Sequence, residues 1–292
     1  MASTGITDIE IDRVLNRGYT DTFTETIPSQ FKIGKGTTDF DPTDTDLEDP
    51  VPINGSEQVD DCDATAGWAA GTDTLVALNA SVFIQGTGSL SMAKTGTAGT
   101  SASMDKTTPS LDFTSKAFCI FVRITALADF VAAGTAVTVR FGSDSGNYYE
   151  FAVPIGNLTT GWNFITFTTA TATSTTGAPV IGACDYTYIA YHTDLAADTV
   201  AANRFLVDDI KLASADDYFK ALDSVTVDTA NDEVVMESRV VTTEANGILL
   251  SESGPFNSDG TPLLVTRSTF DGFSKTLDDE LILTDKIKFR RQ

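Results

Sequence analysis

The chain has 292 residues, enough for two domains of ordinary size and short for three. Hydrophobic residues at 41% and charged residues at 21% lie in the usual globular range, which excludes wholesale disorder and a fibrous repeat. The 41 Asp and Glu against 19 Lys and Arg give a formal charge of -22, which repels a phosphate backbone and excludes nucleic acid as a partner.

In chain order, the first expected element is a helix from Thr7 to Arg17. Thr7 and Glu10 form a capping box, Ile6, Ile9, Ile11, Val14 and Leu15 make an apolar stripe, and Gly18 ends it. Gln30 to Gly36 alternates as a short strand, and the Asp-, Thr- and Pro-rich stretch from Thr37 to Pro52 reads as a solvated loop without the spacing of an EF-hand. From about Ser56 to Ser214, short β-prone runs alternate with Gly, Ser, Thr and Asp clusters. The runs are Val82 to Ile84, Ala117 to Ile124, Ala136 to Phe141, Tyr148 to Val153, Asn163 to Thr168, Tyr186 to Tyr191 and Phe205 to Leu212. That spacing predicts an all-β sandwich.

Strands then continue over Ser224 to Val227, Glu233 to Thr242, Gly247 to Leu250, Leu263 to Ser268 and Leu281 to Phe289. In the last of these, Ile282, Thr284, Lys286, Lys288 and Arg290 point one way and Leu281, Leu283, Ile287 and Phe289 the other. No apolar run reaches the roughly 20 residues needed to cross a bilayer, so no membrane insertion is expected. The start lacks an export leader, so synthesis in a cytoplasm is expected. Cys62, Cys119 and Cys184 are widely spaced, with no CxxC pair and only His192 as imidazole, and read as buried thiols rather than a zinc site.

The central segment resembles carbohydrate-binding-module-like jelly rolls. The residues that carry the resemblance are Asp60-Asp61-Cys62-Asp63, Gly67-Trp68, Gly86-Thr87-Gly88-Ser89-Leu90, Val137 to Asp144, Asn147 to Phe151, Gly161-Trp162-Asn163 and the closing Phe205 to Leu212 with its Val-Asp-Asp-Ile. Trp68 and Trp162, each beside a glycine at a strand entry, read as plugs between the two sheets. A sugar platform needs an exposed aromatic face instead, for which Trp68, Tyr148 and Tyr149 are the candidates, the two adjacent tyrosines pointing to opposite faces. No cofactor is required. The resemblance does imply a structural calcium held by Asp208 together with Asp60, Asp61 or Asp63.

Residues 1 to 55 and 215 to 292, taken together, resemble a small domain of tailed-virus structural proteins. The resemblance rests on Phe31-Lys32-Ile33-Gly34-Lys35-Gly36-Thr37-Thr38, on Gly247 to Asn257 with Pro255 in place of the usual aliphatic residue, on Gly260 to Phe270, and on Phe273-Ser274-Lys275-Thr276. It makes the jelly roll, residues 56 to 214, an insertion in a split β-rich anchoring domain that carries the one N-terminal helix. It implies a virion component of the tail-fibre, baseplate, capsid-decoration or turret kind, with other virion proteins and a host-surface glycan as partners. Self-association into a trimer or pentamer is expected of a small β domain with open strand edges. Lys286, Lys288, Arg290 and Arg291 form the basic concentration of an acidic chain and are the candidates for docking to a neighbour.

No residue set singles out an enzyme. Among 41 acidic residues chance pairs are certain, His192 has no Gly-x-Ser-x-Gly elbow to accompany it, and Gly86-Thr87-Gly88 lacks the helix of a dinucleotide site. Two functions remain open: a non-enzymatic virion component, and a free carbohydrate-binding module.

Overall fold

A computed structural model describes residues 3–6, 28–38, 41, 43–53, 57–228, 233–257, 264–276 and 278–288. The expected helix from Thr7 to Arg17 lies outside them, as do Arg290 and Arg291. The protein is mainly β and divides into two compact units, residues 1–55 with 215–292, and residues 56–214.

The chain begins with β1 (Ser3–Ile6), β2 (Gln30–Gly34) and β3 (Pro50–Val51) of the split unit. The inserted unit follows as β4 (Glu57–Asp60), β5 (Ala69–Ala70), β6 (Thr74–Asn79), β7 (Ser89–Lys94), β8 (Ser101–Leu111), β9 (Ala117–Ile124), β10 (Thr135–Asp144), β11 (Asn147–Pro154), β12 (Gly161–Phe167), β13 (Ser174–Thr176), β14 (Cys184–His192) and β15 (Val200–Ala213). The chain returns with β16 (Lys220–Ala221), β17 (Ser224–Asp228), β18 (Glu233–Val240), β19 (Leu249–Phe256), β20 (Thr266–Ser274) and β21 (Leu281–Lys288).

The inserted unit is a β-sandwich. One sheet has the order β13-β11-β10-β14-β8-β5, and the other β12-β9-β15-β7-β6 with β4 on β15. The strands that β-branched and aromatic residues announce are those that pack the interior: Val137, Val139 and Phe141 of β10, Phe151 of β11, Phe118, Ile120 and Val122 of β9, and Phe205 and Val207 of β15. Phe151 stacks on Phe167 with centroids 4.5 Å apart, and Phe113 meets Phe141 edge-on at 5.3 Å. Contacts of this kind add about 0.5–1.5 kcal/mol each to the burial of the rings. All three cysteines are buried, and none of them forms a disulfide.

Two expectations fail here. Val82 to Ile84 is a loop, because the Asn79 side-chain oxygen accepts from the Ser81 and Val82 N–H groups and turns the chain out of the sheet. Trp162 is not a plug between the sheets: it alternates with Ile165 and Phe167, stands on the outer face of its sheet and meets Phe121 edge-on at 6.5 Å.

The split unit holds the sheet β1-β20-β19-β2-β16, with β3 on β2, and the three-stranded sheet β17-β18-β21. Ile282, Thr284 and Lys286 of β21 are exposed and Asp285 is buried, which is the expected alternation. Its apolar clusters are small, and the interior contains an ion pair: Glu252 of β19 is 0% exposed and Arg267 of β20 2%. Arg267 Nε donates to Glu252 Oε2 at 2.9 Å. Glu252 also accepts from the N–H groups of Gly36 at 3.0 Å, Asp49 at 2.8 Å and Glu48 at 3.1 Å. The remaining guanidinium donors reach Asp44 Oδ2 at 2.8 Å, and Thr38 O and Glu48 Oε2 at 3.3 Å. Gly36 is required by the close approach, since a Cβ there would lie 2.7 Å from Glu252 Oε1 and 2.6 Å from Glu48 Cβ. Residues before and after the insertion thus satisfy one buried charge pair.

Removing one partner of such a pair strands the other charge in the interior. Arg267→Met is therefore expected to lower the unfolding free energy of the split unit by about 3–5 kcal/mol in denaturant titrations. A loss under about 1 kcal/mol, the range of a solvated surface pair, would contradict this role.

Candidate ligand-binding face

The sheet containing β10, β11 and β14 has one side in the core and one outside it. Val137, Val139 and Phe141 point inward from β10, so Thr138, Arg140 and Gly142 point outward. By the same alternation Tyr148 and Glu150 of β11, Tyr186, Tyr188 and His192 of β14, and Ser103 and Asp105 of β8 share that outer side. The register aligns them in rows across the strands: Glu150, Arg140, Tyr188 and Asp105 form one, and Tyr148, Gly142, Tyr186 and Thr107 the next.

Arg140 organises the face. Its guanidinium carbon lies 4.6 Å from the centroid of the Tyr148 ring and 4.4 Å from that of Tyr188, a cation–π arrangement on both sides. Nε donates to Glu150 Oε2 at 2.7 Å, and no other side chain or carbonyl among the described residues accepts from the guanidinium. The Tyr148 and Tyr186 rings approach with centroids 6.4 Å apart, and Gly142 between them contributes no side chain. A Cβ on Gly142 would lie 2.5 Å from Tyr148 Cα, so the glycine is what lets β11 come this close.

Burial, reinforced by Asp105, pushes the Tyr186 hydroxyl up to about 12, so it stays protonated and can donate. Burial holds the His192 imidazole below its usual range, with Glu150 pulling the other way, and Thr138 Oγ1 lies 2.8 Å from His192 Nε2. The half-buried side chains thus present ring faces, carboxylate acceptors and guanidinium donors within a few rows of one sheet. That is the equipment for holding a polyhydroxylated ring, whose C–H faces stack on aromatics while its hydroxyls exchange hydrogen bonds.

Of the expected platform residues, only Tyr148 is on this face. Trp68 is 8% exposed and belongs to the core, its Nε1 donating to Asp60 Oδ1 at 3.3 Å. Tyr149 points inward and meets Phe113 edge-on at 6.1 Å. Tyr186, Tyr188, Arg140, Glu150 and Asp105 were not singled out in the sequence. The signal was present in Tyr186-Thr187-Tyr188, where two aromatics at a period of two flank a buried threonine.

Asp60, Asp63 and Asp208, the residues expected around a calcium, are each engaged by hydrogen-bond donors. Asp60 accepts from Cys62 N–H, Trp68 Nε1 and the Lys106 ammonium. Asp63 accepts from the N–H groups of Thr87 at 2.6 Å and Gly88 at 2.7 Å. Asp208 accepts from those of Ile84, Gln85 and Asp209. Among the described residues no group of three or more His, Cys, Asp or Glu is placed to hold a metal. Of the basic candidates, Lys286 is exposed and Lys288 ends β21.

No protein-family model matches the chain, and no curated protein matches it in sequence. Among solved structures, it is similar over 55% of its length to 96% of the family 11 carbohydrate-binding module from Clostridium thermocellum in complex with a β-1,3-1,4-mixed-linked tetrasaccharide, at 14% identity and a TM-score of 0.40. The xylan-binding domain from CBM 22 is similar over 56% of this chain and 96% of its own, at 13% identity and a TM-score of 0.32. An exo-β-agarase is similar over 55% of this chain and 25% of its own, at 7% identity and a TM-score of 0.40.

Asp208 gives this unit a pH dependence. Burial pushes its carboxyl from 3.8 up to about 7, against the pull of its N–H donors, so the folded state holds this proton more tightly than the unfolded chain. The resulting stability is fully present below 3.8 and is lost as pH rises through about 7. Melting temperatures of the wild type and Asp208→Asn across that window should show the wild-type advantage shrinking as pH rises. A difference that is constant or grows with pH would contradict the assignment.

Proposed function

We propose that the inserted unit is a non-enzymatic carbohydrate-binding module whose ligand lies across Tyr148, Tyr186 and Tyr188. The observation behind this reading is the Arg140 guanidinium held between two tyrosine rings by Glu150, with further acceptors in the same row. Rings fixed in this way lose little freedom when a ligand arrives. Glu150 and Asp105 beside a single Arg140, in a chain of net charge -22, favour a neutral glycan over a polyanion.

A second reading places this module on an exposed component of a tailed-virus particle, self-associated through the split unit. What supports it is that Gly36, Thr38, Glu252 and Arg267, residues on which the flanking resemblance rests, meet around one buried charge pair. Lys286 offers an exposed cation for docking to an acidic neighbour. Recovery of the chain from purified virus particles would support this second reading, and its recovery from particle-free fractions alone would remove it.

The glycan reading is tested by screening the full chain against an array of neutral and anionic glycans. The wild type should bind neutral glycans, and Tyr188→Ala and Arg140→Met should each weaken that binding at least roughly tenfold, about 1.4 kcal/mol. Trp162→Ala, on the outer face of the other sheet, should leave it unchanged. Absence of binding, or loss with Trp162→Ala alone, would refute the proposal.

A further inference from the structure

Lys275 and Asn246 meet in the interior of the split unit. Lys275 is 0% exposed and Asn246 5%. Lys275 Nζ lies 2.7 Å from Asn246 Oδ1, and its other acceptor is the Thr276 carbonyl at 3.4 Å. Asn246 Nδ2 donates to Thr242 O at 2.8 Å, which orients the amide so that its carbonyl end faces the lysine. Among the described residues no carboxylate is bonded to this ammonium, although burying an unpaired cation is costly. Burial accordingly holds Lys275 below the usual lysine range, with Asp279, Glu244 and Glu280 acting in the opposite direction. A lysine in that condition spends more of its time as the free amine, which is the nucleophile.

From this juxtaposition we infer that Lys275 and Asn246 are the two halves of an intramolecular isopeptide bond. Lys275 Nζ, as the free amine, adds to Asn246 Cγ, and the tetrahedral centre expels the amide nitrogen as ammonia. A proton leaving Nζ passes to the departing nitrogen, the Nζ–Cγ bond replaces the Cγ–Nδ2 bond, and no oxidant or reductant takes part. The product ties the turn after β18 to the end of β20.

The same Asn246 precedes Gly247, a pairing in which the glycine nitrogen competes for Cγ in a flexible chain. Here the Gly247 N–H donates to Lys275 O at 2.8 Å, which commits that nitrogen to the backbone and leaves Lys275 Nζ as the group nearest the amide.

Intact-mass measurement of the purified full chain, followed by peptide mapping, decides the matter. The expected result is a mass below the sequence value by one ammonia, with a branched peptide joining Asn246 to Lys275. Lys275→Arg and Asn246→Ala should each show the full mass of their own sequences. A wild type at its full sequence mass overturns the inference. So does an ammonia deficit that maps to a ring closed between Asn246 and Gly247 with Lys275 unmodified, or one that survives either substitution.

Discussion

The split unit depends on a charge pair that water does not reach. Glu252 and Arg267 come from neighbouring strands after the insertion, but the N–H groups of Gly36, Glu48 and Asp49, and the acceptors Thr38, Asp44 and Glu48, all come from before it. Neither side has its buried groups satisfied without the other, and an unsatisfied buried charge is among the most expensive defects a small core can contain. Cooperation between two distant segments follows from that cost. The long insertion between them is tolerable because closure entropy grows only slowly with loop length, and because the inserted chain has a core of its own.

Much of this was legible in the sequence where one physical rule dominates. Ala117 to Ile124 is apolar on both faces and became a central strand, β9, with the same bounds, while β21 alternates as its residues do. The flanking residues Gly36, Thr38, Glu252 and Arg267 were visible as recurring words, yet nothing local says that they converge, because the convergence is made by sheet register. Strands β7 and β8 were missed since their buried positions include polar residues. Ser89 and Ser91 are buried, and Lys94 is buried with its ammonium on the carbonyls of Gly96, Ala196 and Asp198. No composition rule marks such residues as interior, because each is tolerated there only by partners far away in sequence.

The candidate ligand face shows the same division. Alternation alone separates Tyr148 from Tyr149, but which of the two is inward depends on the neighbouring strands, and Phe113 decides it by packing against Tyr149. Trp68 is the plug that it read as, and not a platform, whereas Trp162 also read as a plug and is on an outer face. Tyr148 and Tyr188 of the proposed platform are held by Arg140, whose role needs three strands in register: β11 supplies Glu150 and Tyr148, and β14 supplies Tyr188. Of the carboxylates that the sequence grouped together, Asp63 and Asp208 accept from N–H groups of the segment 84 to 88 and Asp60 from that of Cys62.

Mapping amide signals of the full chain during titration with a neutral oligosaccharide found to bind tests the proposed β8-β14-β10-β11 binding surface most directly. The perturbed amides should cluster around Arg140, Tyr148, Glu150, Tyr186 and Tyr188. Perturbations centred on Phe121, Trp162 and Phe164 of the opposite sheet, or spread without a cluster, would contradict it.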